Sequence, residues 1–67
     1  MDAQVRFTDG ETKWFGHAAR LKVRHGSLFV SGWFRTIAVI PLVQIRWARL
    51  GANRRVSQDD FTQAVVL

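Results

Sequence analysis

Three stretches of the chain alternate apolar and polar residues with a period of two. They are Ala3-Gln4-Val5-Arg6-Phe7-Thr8, Ala19-Arg20-Leu21-Lys22-Val23-Arg24 and Val43-Gln44-Ile45-Arg46-Trp47-Ala48. Successive side chains of a strand point to opposite faces, so each stretch predicts a strand with an apolar inner edge and a largely cationic outer one. Asp9-Gly10 lies between two such runs and predicts a hairpin turn, since Asp-Gly tolerates positive φ at both positions. With those two residues as the loop, Phe7 pairs with Thr12, Arg6 with Lys13 and Val5 with Trp14, the last pair facing inward. Arg6 and Lys13 then meet on the outer face, where an anion lying across them would relieve their repulsion. With His25-Gly26 as a second turn, Val23 pairs with Leu28 and Leu21 with Val30 on the inner face. Lys22 then pairs with Phe29 on the outer face. Phe29 there either stacks among cations or, as we favour from the sequence, is covered by another strand, the C-terminal segment or a second subunit.

Phe15-Gly16-His17-Ala18 is expected to bend the chain, and Ser31-Gly32 to break it again. Thr36 to Ile40 is apolar on both faces and predicts a central or doubly covered strand. Pro41 lacks a backbone donor and should end or bulge that strand. A further strand is expected from about Val43 to Arg49, then a polar turn from Gly51 to Arg55. The tail reads two ways. Ser57 can cap a helix, with Asp60 three residues on and acid near the positive end of the dipole. Against this, Thr62, Val65 and Val66 favour a strand, and so short a helix is marginal alone. The balance favours a strand or extended segment. The expected fold is one all-β domain over residues 1–67, an antiparallel meander or partly open barrel of about five strands.

The chain has 67 residues. A chain of this length buries only about 60% of the surface that its unfolded form exposes, so its core is thin. It contains no cysteine, hence no disulfide and no thiolate ligand for zinc. Association into a homo-oligomer is the expected source of extra stability. The lack of cysteine also fits a cytoplasmic location. Ten Lys and Arg against five Asp and Glu leave a net charge of +5, and arginine supplies all but Lys13 and Lys22 of the cations. Its planar fork suits phosphate and carboxylate, so an anionic partner is favoured: nucleic acid, an acidic protein or anionic lipid. The N-terminal residues carry charges throughout and no apolar run, so no signal peptide is expected. Leu28 to Ile45 is apolar enough to raise the question of a membrane span. Arg35 within it would cost about 2.5–3.5 kcal/mol in a bilayer, and Gly32 and Pro41 interrupt it. No span is expected.

Catalysis is not expected. His17 and His25 sit at a bend and a turn, Ser27, Ser31 and Ser57 lack any surrounding motif, and no Gly-rich phosphate loop appears. The carboxylates Asp2, Asp9, Glu11, Asp59 and Asp60 suit turns and caps. No ligand spacing suggests a metal, and no cofactor is expected.

Two functional readings remain. The first is a nucleic-acid-binding module, with Arg6, Lys13, Arg20, Lys22, Arg24, Arg46, Arg54 and Arg55 as the phosphate-contacting set if the strands form one sheet. The second is a protein-interaction or oligomerising module using Phe29, Trp33, Phe34, Arg35 and the sheet edges. Trp14 and Trp47 are expected to fill the core.

The stretch Leu21-Lys22-Val23-Arg24-His25-Gly26-Ser27-Leu28-Phe29-Val30-Ser31-Gly32, with Arg35-Thr36-Ile37-Ala38-Val39-Ile40-Pro41-Leu42-Val43-Gln44-Ile45-Arg46-Trp47 after it, resembles the core of small bacterial β-domains of the PH-like type. It is also similar in rhythm to short uncharacterised proteins of actinobacteria and their phages. The resemblance covers roughly residues 19–49 and implies a β-meander; it carries no functional residue, and the chain lacks room for a full seven-stranded barrel with its helix.

Overall fold

The computed structural model describes the backbone of residues 1–66 and the side chains of residues 1–62. It holds seven strands, β1 (Ala3–Phe7), β2 (Thr12–Phe15), β3 (Arg20–Arg24), β4 (Ser27–Ser31), β5 (Thr36–Pro41), β6 (Ile45–Leu50) and β7 (Val56–Ser57), and one helix, α1 (Gln58–Val66). The strands form two antiparallel sheets, one ordered β2-β1-β6-β7 and the other β3-β4-β5. The fold is thus small and all-β, with two sheets and no closed barrel. More strands are present than the alternation suggests, and the first strand pairs with the sixth, which a simple meander would not do.

One core joins the sheets. Ala3, Val5, Ile45 and Ala48 enter it from the first sheet, Leu28, Val30 and Ile40 from the second, and Phe61 from α1. Leu28, Ile45, Val5 and Val30 are its largest fully enclosed side chains. Fully burying such a side chain stabilises by about 1.5–3 kcal/mol relative to leaving it in water.

The β3–β4 hairpin has the predicted register: Leu21 pairs with Val30, Lys22 with Phe29 and Val23 with Leu28. His25 and Gly26 form its turn, with φ of 53° and 73°. The β1–β2 hairpin differs from expectation by one residue. Val5 pairs with Lys13 and Gln4 with Trp14, because the loop holds three residues, Thr8 to Gly10. The Phe7 amide donates to the Glu11 carbonyl at 2.8 Å, and Gly10 takes φ 95° between them. A one-residue slip exchanges the two faces of a strand. Trp14 therefore leaves the core for the outer face, and Lys13 moves to the inner side at the sheet edge.

Two further expectations are corrected. Thr36–Pro41 is an edge strand, not a central one; its Ile40 is buried while Val39 stands exposed. Pro41 ends it, and Leu42–Gln44 wind into a single 3-10 turn before β6 begins. The tail is helical over Gln58–Val66, not extended. The Ser57 Oγ accepts the Asp60 amide at 3.3 Å and the Asp60 Oδ2 accepts the Ser57 amide at 3.4 Å, a reciprocal cap. The side chains of Val65 and Val66, named above as favouring a strand, lie outside the described residues.

Candidate nucleic-acid interface

Side chains of one parity on the first sheet point away from the core. The register places Trp14, Gln4 and Arg49 in one cross-strand row, and Thr12, Arg6, Trp47 and Ser57 in the next. The outer face thus interleaves arginine with tryptophan. Trp14 is 62% exposed, while Trp47 is half-buried because the Arg55 guanidinium lies 4.4 Å from its ring centroid. The expectation that both tryptophans fill the core is overturned. For Trp14 the cause is the hairpin slip. For Trp47 it is a bulge: Arg6 pairs with Trp47 but Phe7 with Ile45, leaving Arg46 as an extra residue. The bulge reverses the parity of β6, so Ile45 and Ala48 both point inward while Trp47 and Arg49 point out.

The arginines of this face have neutral hydrogen-bond partners. Arg6 Nη1 donates to the Gly10 carbonyl at 2.6 Å, and Arg49 Nε donates to Gln4 Oε1 at 2.9 Å. These bonds hold each guanidinium without cancelling its charge, and every guanidinium retains further donors for an anion.

The second sheet has its own basic outer face. Arg20, Lys22 and Arg24 are exposed along β3 and line a shallow cavity of about 190 Å3 with Phe29, Ser31 and Thr36. Phe29 is half-buried there beside the cations. The two sheets face each other across the core, so the single patch expected of all eight cations does not form. The faces do meet at one seam. Arg20 of β3, Arg49 of β6 and Arg54 of the β6–β7 connection line a concavity of about 290 Å3 with Leu21, Leu50, Asn53 and Val56.

No family model, curated protein or solved structure matches this chain. The chemistry of the surface is therefore read from its own residues.

Of the cations singled out from sequence, Arg6 and Arg55 lie on the first outer face, Arg20, Lys22 and Arg24 on the second, and Arg20 and Arg54 at the seam. Two stand apart. Lys13 lies over the edge of the inner layer, its Nζ 5.7 Å from the Phe7 ring centroid. Arg46 lines a cavity of about 260 Å3 together with the acidic Asp59. Sequence reasoning missed Arg49, Trp14, Trp47 and Gln4 as members of the surface. One signal was present: Ile45 and Leu50 have opposite parity, and both can face inward only if a bulge intervenes.

Trp33, Phe34 and Arg35 form the loop between β4 and β5, closed by a bond from the Gly32 amide to the Arg35 carbonyl at 2.8 Å. Trp33 is 81% exposed and Phe34 101%. With Gly16, His17, Gly32 and Ile37 they line a largely apolar cleft of about 460 Å3. Phe29 belongs to the β3 face and not to this cluster. Among the described residues, no group of three or more His, Asp or Glu gathers as a metal site would require. No helix among them is long and apolar enough to cross a membrane.

Proposed function

We propose that this protein is a non-catalytic module that binds the phosphate backbone of nucleic acid through its outer arginines. The observation that carries the reading is the seam. Arg20, Arg49 and Arg54 arrive from three separate elements and line one concavity, and from it the basic edge of β3 leads one way and the Arg6–Arg55 face the other. Like charges converge in this way at a cost, which an anion seated among them offsets. Arginine recognises phosphate bidentately, and neutralising several phosphates yields an affinity that falls steeply with salt.

Titrating labelled DNA and RNA at low and moderate salt tests this. The expected outcome is binding at low salt that weakens as salt rises. Each of Arg20→Gln, Arg49→Gln and Arg54→Gln should reduce the slope of log affinity against log salt by about 0.7 on single strands. Absence of binding at low salt, or slopes indifferent to all three substitutions, refutes the proposal.

A second reading, docking of another protein or a second copy of this chain, is favoured by the Trp33–Phe34 tip. Two adjacent aromatics in solvent beside Arg35 match the residue types that dominate interface hot spots.

A further inference from the structure

Phosphate contacts give affinity but do not distinguish a duplex from a single strand. The outer face of the first sheet adds something that phosphates do not require. We infer that Trp14 and the Arg55-capped Trp47 form a stacking platform for unpaired bases, so that the preferred ligand is single-stranded nucleic acid. This rests on the phosphate-binding reading and specifies the class of ligand it admits.

Trp14 leaves most of its surface in water, 62% of it exposed. It lies in the same row as Gln4 and Arg49, while Trp47 lies one row further along beside Arg6. Two strand spacings and one side-chain repeat put the two positions about 12 Å apart along a diagonal of the sheet. That span accommodates about two or three bases, as flat β-sheet platforms do. At the second position the Arg55 guanidinium already lies over the Trp47 ring, 4.4 Å from its centroid. A base can stack on the outer plane of that guanidinium as on an aromatic ring. Gln4 and Arg6 occupy the intervening strand β1, and Arg49, next to Trp47 on β6, reaches across to Gln4 at 2.9 Å, so cations flank the path that a diagonal strand would take. Bases within a duplex are stacked on one another and offer no free face to Trp14. The arrangement therefore discriminates by base accessibility, not by charge.

The test compares a labelled oligothymidylate and an oligouridylate of about ten nucleotides, a duplex of the same length, and heparin, an anion without bases. Binding is read by anisotropy and by tryptophan quenching. Both single strands should bind more tightly than the duplex. Trp14→Ala should weaken single-strand binding about five- to 150-fold while leaving heparin binding unchanged, and Trp14→Phe should retain most of the affinity. Trp14 lies in solvent, so these variants should fold, which thermal unfolding verifies. Single-strand binding that Trp14→Ala leaves undiminished would overturn the stacking platform and leave the phosphate reading standing. Failure of every polyanion to bind would remove both.

Discussion

At the scale of single residues, the turns decide which side chains reach water. His25 and Gly26 both take positive φ, and a methyl added at Gly26 would meet no atom within 4 Å. Gly26→Ala therefore acts through backbone conformation alone and should lower stability by about 1 kcal/mol, seen as a reduced urea midpoint with the same slope. His25→Asn should raise the midpoint slightly, because asparagine tolerates the left-handed region better. This hairpin was legible in the sequence because its loop is the shortest one possible and fixes the register by itself. The β1–β2 hairpin was not. Thr8 can end the strand or enter the loop, and the strand pattern is compatible with both. That single ambiguity moved Trp14 from an expected core position to the exposed face. Trp47 was misplaced for a different reason, since alternation read through Arg46 ignores the bulge that Leu50 demands.

At the scale of elements, α1 shows how tertiary contacts overrule local preference. A helix of this length has little stability alone. Beyond its Ser57–Asp60 cap, the Gln58 Nε2 donates to the Leu42 carbonyl at 2.8 Å and to the Ile45 carbonyl at 3.1 Å. Phe61 then anchors the first turn in the core. The capping pair could be read from the sequence, but the Gln58 bridge to the 3-10 turn could not, because it joins residues distant along the chain. Ser57→Ala should cost about 1 kcal/mol, measured by urea unfolding, with a matching loss of helical ellipticity. An unchanged midpoint would mean that the cap is dispensable. Edge position matters in the same way for β5, whose apolar composition suggested a central strand. Val39 faces outward beside Phe29, while Ala38 and Ile40, together with Ile37 at a bulge, pack toward the core.

For the whole molecule, the separation of features bears on assembly. The aromatic tip of Trp33 and Phe34 is distinct from the arginine–tryptophan face, so the two can be altered independently. If the tip joins two copies, light scattering should give a mass above that of one chain, rising with concentration. A Trp33→Ser/Phe34→Ser variant should return to the single-chain mass with its unfolding midpoint retained. A wild-type mass equal to one chain at all concentrations rules out self-association through the tip. The pairing of β1 with β6 has a temporal consequence. The meander β3-β4-β5 needs only near neighbours, whereas Ala3 meets Leu50 after a closure costing on the order of 3 kcal/mol in chain entropy. During synthesis the amino-terminal hairpin must wait, one edge open, until the sixth strand emerges. The face that carries Trp14 beside Arg49 is thus completed only after the chain has been made as far as Leu50.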